Sequence, residues 1–184
     1  MILKRYCYDL LNSPVYLHHG ATVDVNSYPL SRQLGLILKE KGMKLAVTES
    51  CTGGGFCRVI TRVPGSSSWF ERGFITYSNS AKEELLEIDP QLIKREGAVS
   101  ETVAREMAVG ALKRSHADIA LSITGVAGPS GGIPDKPVGT VWFGIAKKTG
   151  EVECYKAHFE SGRKHVRDSA IAYGLKCLLK SVTG

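Results

Sequence analysis

The stretch Thr48-Glu49-Ser50-Cys51-Thr52-Gly53-Gly54-Gly55 constrains this chain more than any other. The short, mostly apolar run over residues 44–47 reads as a strand, and Phe56, Val59, Ile60 and Val63 after the glycines mark one face of a helix. A strand must therefore pass into a helix through a glycine-rich bend. Such a bend exposes successive backbone N–H groups, which favour negative charge. Ser50 or Cys51 would stand at its lip, and a nucleophile beside anion donors is what acyl transfer needs at the tetrahedral stage. A glycine-rich turn that only packs a helix closely onto a sheet accounts for the same string equally well.

Around this bend the chain alternates between helical and strand patterns. Leu34, Ile37 and Leu38 indicate an amphipathic helix stopped by Gly42, and residues 73–77 form the next strand after a turn-rich loop at 63–68. Ser80, with Glu83 three positions on, has capping-box spacing and puts Lys82 in the first turn of a helix. Asp89-Pro90 opens a short helix ended by Gly97. Ser100 caps a longer one whose Val103, Ala104, Met107, Ala108 and Ala111 share a face. Residues 119–123 read as a buried strand, 124–134 as a glycine- and proline-rich loop, and 139–147 with 151–159 as a β-hairpin. A final helix starts near Arg163 and turns Val166, Ala170, Tyr173, Cys177 and Leu178 inward. The expected fold class is α/β, a three-layer α/β/α arrangement with a mixed parallel and antiparallel sheet. Residues 1–29 read as an N-terminal extension and residues 30–184 as one domain. In such sheets ligands collect at the carboxyl ends of strands, where the Ser50 turn, the 77–82 segment and the Thr124 loop all fall.

Composition narrows the function classes. No run approaches the roughly 18 apolar residues of a membrane span and no signal-peptide core is evident, so a cytoplasmic location is expected. The five cysteines form no CxxC pair, and no metal-ligand cluster or cofactor motif stands out; neither metal nor cofactor is expected. The net charge of +6, from 24 basic and 18 acidic side chains, suits an anionic partner. The basic residues are scattered and no nucleic-acid module is present, so a small phosphorylated molecule fits better than a polymer.

Ser50 needs a base, and none of the five histidines has a telling position. Lys82, near a helix N-terminus, is the candidate, but the helix dipole supplies only about 0.3–1 kcal/mol. Bringing a lysine from about 10.4 to near 7.5 takes roughly 4 kcal/mol, so burial must do most of it. Lys82 is thus expected to be buried and to reach Ser50. Tyr77, at a strand end, would relay a proton or hold the substrate; a half-buried strand aromatic is the plainer role. Cys51 is the competing nucleophile, and Glu49 either orients the glycine turn or is simply a strand-end carboxylate. The loop from Thr124 through Gly128 to Gly132 has the character of a phosphate nest, Thr124 adding a hydroxyl, but lacks the P-loop pattern. Arg163 and Arg167, four apart on a helix, would clamp a phosphate or merely be solvated.

Taken together, 48–55, Pro64-Gly65-Ser66-Ser67, Ile75-Thr76-Tyr77-Ser78-Asn79 through Lys82, Gly97-Ala98-Val99-Ser100-Glu101, Ile123-Thr124-Gly125-Val126-Ala127-Gly128-Pro129 and Lys136-Pro137-Val138-Gly139-Thr140 resemble the CinA C-terminal domain family, which includes the nicotinamide mononucleotide deamidases. The resemblance implies Ser50, Tyr77 and Lys82 as catalytic residues. It implies substrate binding through Thr52, Gly53, Gly54, Asn79, Thr124, Gly125, Ala127, Gly128 and Arg163, and a homo-oligomer in which Trp69 and Phe70 are contact residues or core. The resemblance implies hydrolysis of the carboxamide of nicotinamide mononucleotide to nicotinate mononucleotide and ammonia, with a catalytically silent nucleotide-binding module as the alternative. Thr48 stands where the family usually has alanine, and residues 1–29 have no recognised counterpart.

Overall fold

The computed structural model describes residues 27–184. The expected extension lies outside these residues except for its last three positions, which already belong to the first helix, α1 (Ser27–Glu40). After α1 come β1 (Leu45–Glu49), α2 (Gly55–Thr61), a 3-10 turn (Ser66–Ser68), β2 (Phe70–Ile75), α3 (Asn79–Leu86), α4 (Pro90–Glu96) and α5 (Glu101–Lys113). They are followed by β3 (Ile119–Gly125), β4 (Thr140–Lys147), β5 (Val152–His158) and α6 (Arg163–Thr183). The five strands lie in the order β2-β1-β3-β4-β5. β1 pairs in parallel with β2 and β3, while β3-β4 and β4-β5 are antiparallel, giving the expected mixed sheet.

The two faces of the sheet differ in side-chain size, and that difference sorts the helices. On one face Val47, Leu121 and Ile123 meet Leu34 and Leu38 of α1, Phe56 and Ile60 of α2, and Leu175 and Leu178 of α6. On the other, the alternate positions Ala46 and Ala120 are small and admit α5 closely through Val103, Met107 and Ala111, with Leu86 and Ile93 completing the layer. The apolar face predicted for α5 is buried throughout. A helix this close to a sheet must satisfy any polar group between them. Ser122 does so: its Oγ donates to the Ala104 carbonyl of α5 at 2.5 Å and accepts the Gly144 N–H of β4 at 3.0 Å. Ser122→Ala is expected to orphan the Gly144 N–H and take from the Ala104 carbonyl its second donor, at a cost of about 1–3 kcal/mol. Urea unfolding, read as a lower midpoint at unchanged slope, checks this.

Three local expectations shift. β2 begins at Phe70 rather than residue 73 and ends at Ile75, because parallel pairing with β1 runs from Leu45↔Phe70 to Glu49↔Ile75; Tyr77 therefore lies beyond the strand. The cap of α3 is Ser78, whose hydroxyl accepts the Ala81 N–H, and Ser80 is inside the helix. β3 extends two residues further than residue 123, through Thr124↔Trp142 and Gly125↔Val141, so these two leave the loop for the sheet. Trp69 is core: its indole fills the space a side chain on Gly35 of α1 would take, and Phe70 packs partly buried beside it.

Candidate active site

β1 ends at Glu49 between β2 and β3, at the carboxyl edge of the three parallel strands. The next residue, Ser50, donates its N–H to the Ile123 carbonyl and so is fixed to the end of β3. The chain then bends: the Gly53 N–H returns to the Ser50 carbonyl, and the Gly55 N–H to the Thr52 carbonyl. Gly53 and Gly54 have φ of 55° and 87°, the left-handed region where a side chain is strained, and a Cβ on Gly54 would stand 3.1 Å from Ile75.

Glu49 closes the bend from behind. Its carboxylate is fully buried and accepts the N–H groups of Phe56 and Cys57, at 3.0 and 2.8 Å, in the first turn of α2. The N–H groups of α2 are therefore taken by the protein's own carboxylate. Within the bend, the backbone hydrogen bonds among the described residues are those of the Gly53 and Gly55 N–H groups, and the N–H groups of Cys51, Thr52 and Gly54 take no part in them.

Lys82 enters from α3 on the opposite side of Ser50. It is 1% exposed, and its Nζ stands 3.2 Å from Ser50 Oγ, 2.8 Å from the Thr76 carbonyl and 3.4 Å from the Ser78 carbonyl. Burial brings its amine down from 10.5 to about 8. Among the described residues no carboxylate bonds to it, and the two carbonyls match the two N–H bonds of a neutral amine. In that uncharged form the lone pair is left for the Ser50 hydroxyl, whereas in the charged form the third N–H donates to Ser50 Oγ. Cys51 is buried, and that burial pushes its thiol up to about 12, so it remains protonated near neutrality. Cys57 is raised in the same way, by burial and then by Glu49.

Tyr77 is placed otherwise than a proton relay requires. It is 57% exposed, and its hydroxyl accepts from Arg163 Nη2 at 2.8 Å, with no hydrogen bond to Ser50 or Lys82. Arg163 Nη1 donates to the Gly128 carbonyl at 2.9 Å, so one guanidinium ties the segment after β2 to the loop after β3. What that loop turns toward Arg163 is a carbonyl rather than a nest of N–H groups. Ala127 is buried, and the Thr124 hydroxyl is committed to the Ala98 carbonyl at 2.9 Å. Asn79 opens α3 exposed. Thr52 is buried, and its hydroxyl has no partner among the described residues.

Beside the glycine bend lies a cleft of about 590 Å³ between α2 and α6, lined by Gly53, Gly54, Arg58, Arg163 and Arg167 among others. The glycines of the bend line it, whereas Ser50 and Lys82 do not. Among the described residues none of its three arginines forms an ion pair with a carboxylate, whereas Asp168 on its wall is paired with Lys164 at 2.7 Å. Arg58 has no place in the sequence-based account because only its apolar neighbours on α2 carried a periodic signal. Its position off that face was the available clue. The two carbonyls that receive Lys82 left no mark in the sequence at all. Among the described residues no three His, Cys, Asp or Glu side chains converge as a metal site, and no helix is long and apolar enough to cross a membrane.

Fold and site together define a three-layer α/β protein with a serine–lysine pair at the carboxyl edge of its parallel strands. The chain belongs to the CinA C-terminal domain family, whose match covers residues 27–182. It is 50% identical over 149 residues to the nicotinamide-nucleotide amidohydrolase PncC of Shigella flexneri, covering 81% of this chain and 90% of that one; the PncC of Escherichia coli K12 matches to the same extent. Among solved structures, the competence/damage inducible protein CihA of Agrobacterium tumefaciens superposes with a TM-score of 0.83 at 34% identity, over 86% of this chain and 96% of that one.

Proposed function

We propose that this protein hydrolyses the carboxamide of nicotinamide mononucleotide to nicotinate mononucleotide and ammonia. The observation that carries the reading is the 3.2 Å approach of the buried Lys82 amine to Ser50 Oγ, with the Thr76 and Ser78 carbonyls occupying its N–H groups. The half-identical amidohydrolases of nicotinamide nucleotides supply the substrate class.

In the first step neutral Lys82 takes the Ser50 proton while Oγ bonds to the amide carbon and the carbonyl electrons move onto oxygen. N–H groups of the bend, from Cys51, Thr52 and Gly54, hold that oxyanion; removing one such donor typically costs about 2.7–4 kcal/mol of barrier. The oxyanion collapses, the C–N bond breaks, and the nitrogen leaves as ammonia with the proton returned by Lys82. Water then attacks the ester, giving a proton to Lys82, and the C–Oγ bond breaks with Oγ reprotonated. Arg58 and Arg163 hold the 5′-phosphate in the cleft, and Tyr77 holds the substrate rather than relaying the proton. The Gly125 to Gly128 segment shapes this side of the site through its hold on Arg163. Asn79, at the mouth of α3, completes the binding set, and the family resemblance adds a cytoplasmic homo-oligomer.

Ammonia release from purified protein tests the reading. Nicotinamide mononucleotide should turn over at least about 100-fold more efficiently than free nicotinamide, which lacks the phosphate that binding energy is drawn from. Nucleotide binding without ammonia release would instead make the protein a silent binding module.

A further inference from the structure

Arg167 differs from the other two arginines of the cleft in what it holds. Its Nη2 donates to the Thr52 carbonyl at 2.8 Å, the same carbonyl that the Gly55 N–H reaches, so its guanidinium is a second strut of the bend that follows Ser50. The same nitrogen would lie 3.5 Å from a Cβ on Gly53. Its Nε is buried without a partner among the described residues. Yet Arg167 also lines the cleft with Arg58 and Arg163, so one rigid planar group touches both the bend and a cleft lined by three arginines. A peptide plane is fixed once its carbonyl is fixed. Whatever sets the Arg167 guanidinium thus bears on the Thr52–Gly53 peptide, whose own N–H, that of Gly53, closes the turn onto the Ser50 carbonyl. An anion arriving in the cleft is attracted by three guanidinium charges and restrains the one that braces the bend.

We propose that Arg167 is a positioning residue through which a phosphate-class dianion in the cleft orders the bend after Ser50, so that phosphate binding is expressed in turnover as well as in affinity. This deepens the amidase reading and rests on it for the catalytic readout. Remote binding energy used to organise reacting groups raises kcat, whereas a plain clamp lowers only KM.

The test separates the substrate into two pieces. Nicotinamide riboside, which lacks the phosphate, is offered to the wild type with and without inorganic phosphite, and Arg167→Gln and Arg167→Lys are compared. Phosphite should raise riboside turnover at least about tenfold in the wild type, less than about twofold in Arg167→Gln, and to an intermediate extent in Arg167→Lys. With the intact nucleotide, Arg167→Gln should lose mostly kcat. Hydrogen exchange over residues 50–57 gives a readout independent of chemistry: phosphite should slow it in the wild type and leave it unchanged in Arg167→Gln. Equal phosphite activation in wild type and Arg167→Gln overturns the proposal, as does a variant that raises KM at unchanged kcat. Absence of any phosphite effect on rate and exchange in the wild type overturns it too. A wild type inert toward nicotinamide mononucleotide defeats the amidase reading, and the exchange experiment then decides the coupling by itself.

Discussion

Lys82→Met is expected to lower kcat about 10³- to 10⁴-fold, the upper range for loss of a general base, while leaving the protein at least as stable at pH 7. The two effects have one cause. Folding moves the amine from its ordinary 10.5 down to about 8 because burial penalises the charged form. Between those values the unfolded chain binds more protons than the folded one, so this group makes stability rise with pH from about 8 to 10.5. Below pH 8 the native state carries a penalty of about 3 kcal/mol, from roughly 1.4 kcal/mol per unit. Methionine removes that penalty and fills a similar volume. Against this, the Thr76 carbonyl loses its donor, a cost of about 1–3 kcal/mol. Thermal unfolding at pH 7 should therefore show an unchanged or higher Tm for an enzyme with almost no ammonia release. A destabilised variant with near-normal kcat would mean that Lys82 is a packing residue.

Glu49→Ala should produce the largest loss of stability of any single change near the site, about 3–5 kcal/mol. The carboxylate is fully buried and both its oxygens are used, so truncation orphans the Phe56 and Cys57 N–H groups inside the protein and leaves a void behind the bend. The bend between β1 and α2 then loses the closure that holds Ser50 opposite Lys82, and kcat should fall at least about 100-fold even at temperatures where the variant is fully folded. Glu49→Gln keeps one carbonyl acceptor but turns an NH₂ toward a backbone N–H, so it should fall between wild type and alanine on both scales. Denaturant unfolding together with ammonia release at low temperature separates the two losses. Unchanged unfolding would show that the helix N-terminus needs no internal carboxylate.

The parts of this architecture that repeat at short range were legible in the sequence. The glycines at 53–55, the Asp89-Pro90 start and Gly97 stop of α4, the Ser100 cap and the 139–159 hairpin each announce themselves within a few residues, and each is present. Burial of Lys82 against Ser50 was also legible, but by a different route: a lysine can serve as a base near neutral pH only if it is desolvated, so chemistry demanded the position that the fold supplies. The choice between Ser78 and Ser80 as the cap of α3 was not legible, because both are serines and the spacing to Glu83 favoured the wrong one. Partnerships across the chain were least legible. Nothing local to Tyr77 reveals that its hydroxyl meets Arg163, 86 positions away, and nothing local to Thr124 reveals the Ala98 carbonyl. The departure at Thr48 has a similar explanation, since its hydroxyl meets that of Thr76 at 3.2 Å in the buried space beneath the site. Glu49 was open to two readings, and the structure makes it both at once, a strand-end carboxylate and the brace of the glycine bend.

Whether an uncharged Lys82 amine activates Ser50 is read out by the pH dependence of kcat/KM for nicotinamide mononucleotide, because that ratio reports the ionisation of the free enzyme. The amine near 8 predicts a rate that climbs about tenfold per pH unit from pH 6, bends near pH 8 and levels above it. A profile that is flat from pH 6 to 9, in an enzyme that still requires Ser50, would contradict the account.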